Sequence, residues 1–133
     1  MLGAVAIALA VAASAQSQRF EGLTAQGQPV SFSATASPRR LLGLSIVVRV
    51  RCGRARPVSE RRAFRPILVG PDGSFSGVSR GELRGSVPRG DLAWVIGRFT
   101  HPGRAEGTVR LVVRRAGASC TSAPIRWEAA AAG

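Results

Sequence analysis

The sequence GVSRG at residues 77–81 matches G-x-S-x-G, the pattern in which a serine on a tight turn is the nucleophile of an α/β-hydrolase. Asp91 and then His101 follow Ser79 along the chain, in the Ser, Asp, His order of those enzymes. Acyl transfer would require Ser79 to lie within hydrogen-bond reach of the histidine, with the aspartate orienting that base.

The elements around Ser79 do not fit this chemistry. A nucleophile elbow needs a helix directly after the serine, because the helix N-terminus and backbone amides form the oxyanion site. The residues after Ser79 are rich in glycine and lead to Pro88, which disfavours a helix. We therefore predict a non-enzymatic protein with no catalytic residue, and a small serine hydrolase using Ser79 is a minor alternative.

Two cysteines, Cys52 and Cys120, are the other residues with reactive side chains. Their wide separation excludes a C-x-x-C redox motif, and a metal site would need more nitrogen and sulfur ligands than His101 adds. We predict no metal and no cofactor. In an exported protein an isolated pair most simply forms a disulfide, so we predict a structural Cys52–Cys120 bond. An unpaired or exchangeable pair of thiols is the alternative.

Arginine supplies all 19 basic residues, against seven acidic residues, for a formal net charge of +12. Guanidinium groups bind phosphate or carboxylate in a bidentate manner, so an anionic partner is one interpretation. The codon bias of a GC-rich genome combined with solubility is the other, because net charge by itself favours only non-specific association. The candidate anion-binding surface consists of five arginines: Arg49, Arg51, Arg110, Arg114 and Arg126.

A specific nucleic-acid partner is not predicted. β-Domains that bind single strands usually add exposed aromatic side chains to a basic groove, so that bases can stack on them. This chain has no tyrosine, and most of its aromatic residues occupy positions with core parity. The face of Trp94 depends on Gly97, which as a bulge would reverse the alternation. If Trp94 is exposed beside Arg98, it becomes the best candidate for a binding surface.

Short segments with period-2 alternation, separated by Gly, Pro and Ser clusters, follow residue 15. This pattern is typical of an all-β sandwich or barrel. We predict a single domain, an antiparallel β-sandwich of about eight strands. The predicted strands are 20–24, 29–36, 41–52, 64–69, 74–78, 91–100, 107–115 and 124–129.

Alternation within the third predicted strand, which contains IVVRVRC at residues 46–52, assigns its side chains to two faces. Leu42 and Cys52 fall on the core side, whereas Arg49 and Arg51 fall on the solvent side. The last two predicted strands place their arginines outside in the same way. A half-solvated antiparallel sheet has this pattern whatever its function, so parity alone does not establish a binding role.

Residues 1–15 form an unbroken run of small and apolar residues that ends in Ala-Ser-Ala, which is typical of a signal peptide. The run is shorter than the roughly 20 residues that span a bilayer, so we predict no transmembrane anchor. A basic n-region is missing, and a buried N-terminal helix is the alternative. We predict a signal peptide at 1–15, the β-sandwich domain at 16–130 and a flexible tail at 131–133.

A series of motifs runs through the chain in a fixed order: FEGLTAQGQPVSF at 20–32, Cys52, DGSFSG at 72–77, GRF at 97–99, EGTVR at 106–110, Cys120 and IRWEA at 125–129. In these motifs the chain resembles a family of small exported proteins of actinobacterial type. Members share a G-x-T-x-Q-G-x-P-x-x-F opening, a G-T-x-R strand and a cysteine shortly before W-x-A. The resemblance covers nearly the whole mature chain. It implies a secreted β-sandwich with two cysteines and assigns no catalytic or ligand residue.

Together these patterns predict a secreted protein of the extracellular space or cell envelope. The leading hypothesis is a module that binds an anionic polymer or a cell-envelope surface through the five arginines. A structural or accessory protein without a ligand is the alternative, and the sequence leaves the oligomeric state open.

Overall fold

Ten β-strands and no helix make up the part of the chain that the computed structural model describes, which is residues 3, 17–36, 39–80, 91–115 and 118–132. The predicted signal peptide lies outside these residues apart from Gly3. The strands are β1 (Gln18–Thr24), β2 (Pro29–Ala34), β3 (Arg40–Val50), β4 (Val58–Ala63), β5 (Ile67–Leu68), β6 (Ser74–Arg80), β7 (Leu92–His101), β8 (Arg104–Arg115), β9 (Ala118–Thr121) and β10 (Ile125–Ala131).

Neighbouring strands follow the order β4-β3-β2-β1-β10-β8-β7-β6, with β5 beside β3 and β9 beside β8. Every pairing is antiparallel, so successive strands alternate in direction between two ends of the sheet. One end, here called the disulfide end, contains the turn at 25–28 and the loop at 51–57. The opposite end, here called the terminal end, contains the start of β1, the end of β10 and the β7–β8 turn.

The sheet curls into a nearly closed, barrel-like shape. The prediction of an all-β antiparallel fold is confirmed, whereas the two separate sheets of a sandwich are not shown, because hydrogen bonding continues along one path. Both architectures bury one face of every strand and therefore produce the same alternation in the sequence. β10 extends to Ala131, and the N–H of Ala132 donates to the carbonyl of Arg19 at 2.8 Å, beyond the domain end placed at residue 130.

Aromatic rings fill the half of the interior nearer the terminal end. Phe20 stacks on Phe32 with 4.9 Å between ring centroids, and Phe99 meets Phe20 edge-on at 5.5 Å. The guanidinium of Arg39 lies 4.0 Å from the centroid of the Phe99 ring and covers this cluster. The cluster explains why the aromatic residues have core parity, with the exception of Trp94.

The alternation in β3 changes at Gly43, whose positive φ of 62° suits glycine. Pairing with β2 shifts register between Ser31 and Ser33, as it does at a β-bulge. Leu41 is consequently buried and Leu42 only half-buried, so the prediction that Leu42 faces the core is wrong. Beyond the bulge the residues predicted to face the core are buried to the end of the strand, and Val47, which breaks the alternation, is buried as well.

Gly97 does not reverse the alternation of β7, because Val95 and Phe99 on either side of it are both buried. A glycine is required at this position because two aromatic rings leave no space for a side chain. A Cβ at position 97 would lie 2.3 Å from Cζ of Phe75 and 2.7 Å from Cζ2 of Trp127.

We expect Gly97→Ala to lower the free energy of unfolding by about 1–3 kcal/mol, because the two rings have no free volume into which to move. Denaturant titration followed by tryptophan fluorescence measures the change. Gly103→Ala is the matched control, since the nearest atom to its added Cβ would be Nδ1 of His101 at 3.6 Å, an ordinary contact. Equal stability of the two variants would contradict tight packing at Gly97.

Candidate anion-binding surface

The disulfide between Cys52 and Cys120 confirms the predicted pairing. It joins the segment after β3 to β9, with 5.1 Å between the two Cα atoms. In the β8–β9 register Cys120 lies opposite Val113. The bond therefore holds the end of β3, which bears Arg49 and Arg51, beside the second half of β8, which bears two more of the predicted arginines.

The turn between β1 and β2 fixes the same end of β3 from another side. The backbone N–H of Arg49 donates to Oε1 of Gln26 at 2.8 Å, and Nε2 of Gln26 donates to the carbonyl of Arg49 at 3.0 Å. The adjacent Ala25 donates its N–H to the carbonyl of Arg126 at 2.7 Å. Oγ1 of Thr24 accepts the N–H of Gln26 and holds the turn. Arg49 and Arg126, which come from distant parts of the sequence, thus flank one turn.

All five predicted arginines are exposed and lie in the half of the sheet nearer the disulfide end. Arg54 and Arg56, in the loop that follows Cys52, are exposed as well. We call the predicted set the arginine surface: Arg49, Arg51, Arg110, Arg114 and Arg126.

The exposed acidic side chains of the described residues lie nearer the terminal end than the arginine surface does. Glu60 and Asp91 face Arg62 inside the sheet, and Asp72 lies in the turn before β6 at the terminal end. Three glutamates line an outer groove of about 270 Å³ on the terminal side of the arginine surface. They are Glu21, Glu106 and Glu128. On both β8 and β10 the change from glutamate to arginine therefore marks the edge of the arginine surface.

Trp94 lies on the outer face of β7 and is half-buried. In the register it stands between Val78 of β6 and Arg110 of β8. Ile96 and then Arg98 follow on the same face. Trp94 is half-buried and Arg98 lies four residues further along the strand, roughly 13 Å away, so Trp94 is not exposed beside Arg98. Arg110 is the arginine directly opposite the indole.

β4 was not predicted, and it contributes a buried charged cluster. Its sequence VSERRA lacks apolar alternation, yet Glu60 and Arg62 share the inward face. Arg62 is 9% exposed, and its guanidinium bonds to Oδ2 of Asp91 at 3.1 Å and to Oε2 of Glu60 at 3.2 Å. Oδ1 of Asp91 accepts the backbone N–H of Arg114 at 2.8 Å. The signal in the sequence was the spacing of opposite charges two residues apart, which places both on one face of a strand.

Ser79, Asp91 and His101 are not brought together. The hydroxyl of Ser79 donates to the carbonyl of Ala63 at 2.6 Å, within β6 rather than on a strand-to-helix turn. Asp91 and His101 stand at opposite ends of β7, which separates them by roughly 30 Å of extended chain. Nδ1 of His101 accepts the N–H of Gly103 at 3.1 Å. Within the described ranges, His101 is therefore not placed to act as a general base for Ser79.

The described ranges contain no group of three or more His, Cys, Asp and Glu side chains that could hold a metal ion. In the same ranges, no helix has the length and apolar character to span a membrane. Comparisons with protein-family models, with curated proteins and with solved structures found no match to this chain.

We expect the double variant Cys52→Ser/Cys120→Ser to lose roughly 4 kcal/mol of unfolding free energy, because the bond closes a loop of 68 residues. Denaturant titration of the variant and of the oxidised protein measures the difference. Thiol titration of the unfolded, unreduced wild type should find no free thiol. Detection of two thiols would contradict the bond.

We expect Arg62→Met to destabilise the fold by about 3–5 kcal/mol, since it removes the guanidinium that bonds to both Asp91 and Glu60 in a largely buried position. Arg61→Met is the matched control on the same strand, because Arg61 is exposed and donates only to Oγ of Ser45 among its side-chain partners. That variant should change stability by less than about 0.5 kcal/mol. Thermal and denaturant unfolding of both proteins make the comparison, and similar small losses would show that the buried cluster is not stabilising.

Proposed function

We propose that this chain is an exported, non-enzymatic module that binds an anionic polymer or surface of the cell envelope through the arginine surface. The observation that carries the proposal is that exposed arginines of β3, β8 and β10 lie in the same half of the sheet, toward the disulfide end. A covalent bond and the hydrogen bonds of one turn hold these strands there.

The spacing of the arginines favours a ligand with several charges. Arg126 is opposite Thr108 in the β8–β10 register, so Arg110 and Arg126 are diagonal neighbours with Cα atoms roughly 7–8 Å apart. A polymer or surface with repeated phosphate or carboxylate groups can contact both guanidinium groups at once. A single small anion would leave the other arginines of the arginine surface without a contact to the ligand.

Export is supported by the disulfide, because such bonds persist in oxidising compartments outside the cytoplasm. The leader-like residues 1–15 and the resemblance to small exported proteins of actinobacterial type point in the same direction. The competing class is a structural or accessory secreted protein without a ligand, which would show no retention on a polyanion. No contact in the described residues favours the hydrolase alternative.

We expect the purified protein to bind immobilised heparin at low ionic strength and to elute with increasing salt, because screening weakens charge contacts. The variant Arg49→Gln/Arg110→Gln/Arg126→Gln should elute at clearly lower salt. A plot of log affinity against log salt concentration should have a slope that is smaller in magnitude by about three, one for each lost arginine contact.

The matched control, Arg40→Gln/Arg65→Gln/Arg104→Gln, removes an equal number of positive charges at the terminal end. It should elute at close to the same salt concentration as the wild type. Equal shifts of both triple variants would show that only net charge matters and would contradict a defined surface. Absence of retention at low ionic strength would favour the class without a ligand.

A further inference from the structure

The wall beside the arginine surface carries exposed apolar side chains that binding to a dissolved polyanion does not use. Val78 is 54% exposed and Ile96 is 61% exposed. The half-buried Trp94 lies directly opposite Val78 and two residues before Ile96 on the same face of β7. Single apolar residues are common on protein surfaces, but contiguous ones mark interaction sites. The name apolar strip is used below for Val78, Trp94 and Ile96.

The sequence of β7 is apolar on both faces of the strand, and the apolar strip includes its outer face. LAWVIG at residues 92–97 is apolar at inward positions, where Ala93 and Val95 are fully buried, and also at the outward positions of Trp94 and Ile96. Strands with two apolar faces are typical of sheets covered on both sides. Here Ile96 on the outer face is exposed among the described residues.

Arginines border the apolar strip on the side of β8 and β10. Arg110 lies directly opposite Trp94, and Arg126 lies opposite Thr108, which is itself opposite Ile96. The wall therefore changes from apolar to cationic over three neighbouring strands, a width of roughly 15 Å. An occupant of the whole wall must offer anionic groups and an apolar region side by side.

We propose that the apolar strip and the arginines beside it dock the protein on an anionic lipid bilayer, with the Trp94 ring at the level of the headgroups. Lipid phosphates contact Arg110 and Arg126, while Val78 and Ile96 enter the boundary of the acyl chains. Tryptophan is favoured at that boundary because its ring is apolar with one polar edge. This inference rests on the proposed function and names the source of the anions, because a dissolved polyanion offers charge but no apolar region.

The test uses the full oxidised protein and sedimentation with vesicles of phosphatidylcholine alone or with 30% phosphatidylglycerol, a composition on the order of anionic leaflets. We expect binding only to the anionic vesicles. Val78→Ser/Ile96→Ser should weaken that binding by about tenfold or more, because apolar area is no longer buried. The same variant should keep the heparin retention of the wild type, because its arginines are intact.

Leu23→Ser/Leu68→Ser is the matched control, since both leucines are exposed to a similar degree, 55% and 65%, and lie outside the apolar strip. It should bind anionic vesicles like the wild type. Thermal unfolding of both double variants establishes that they are folded.

Tryptophan fluorescence gives an independent measurement of the docked face. The chain has two tryptophans, and Trp127 is 2% exposed, so a blue shift on vesicle binding must come from Trp94. Brominated lipids should quench the shifted emission, and Trp94→Phe should abolish the response while vesicles still sediment the protein.

Two results would overturn the inference and leave the proposed function intact. One is heparin retention without binding to anionic vesicles, and the other is vesicle binding that is equal in the strip variant and the wild type. In the first case the anions would belong to a soluble polymer, and in the second case the arginines alone would bind the vesicles without help from the apolar strip. If the wild-type protein neither binds heparin nor binds anionic vesicles, the proposed function is overturned as well.

Discussion

Closure of the curled sheet depends on the contacts of β4, the strand at one margin. Among the described residues β4 and β6 do not pair, and polar side chains connect the margins instead. Arg62 of β4 reaches Asp91 at the start of β7, and Ser79 of β6 reaches the carbonyl of Ala63. A buried ion pair is costly to desolvate and strongly directional, so it is better suited to fixing how two margins meet than to adding net stability. Asp91 also accepts the N–H of Arg114, which links this closure to the strand that carries much of the arginine surface.

The outer wall is divided into chemically distinct regions because β-strands bring distant sequence segments side by side. Glutamates and Arg104 line the groove nearer the terminal end, the arginine surface lies toward the disulfide end, and the apolar strip occupies β6 and β7. The disulfide and the Gln26 contacts act on backbone positions at the borders of these regions. Rigid backbone beneath long, mobile arginine side chains suits recognition of an extended anionic surface, where charge density matters more than the position of any single group.

Local patterns predicted the all-β class, the disulfide and the outward arginines, because each depends on period-2 alternation or on chemistry that two cysteines share. They did not predict β4, whose inward residues are charged. Arg62 is buried between two partners, Glu60 two residues away and Asp91 29 residues away, and a local window of sequence contains only the first of them. β9 was missed for a related reason: the sequence ASCT is short, and its pairing partner in β8 is what makes it a strand. The bulge at Gly43 moved Leu41 into the core in place of Leu42, since one extra residue reverses parity.

The sequence by itself determined which residues could face outward and which two atoms could be bonded covalently, since strand parity and thiol chemistry are local properties. Only the tertiary structure decided that the sheet curls into one nearly closed path and that arginines from three strands lie in the same half of it. It also decided that Trp94 stands beside Arg110. These relations depend on strand order and register, which are set by contacts between residues far apart in the chain. Alternation is the same for every such arrangement, so it cannot select among them.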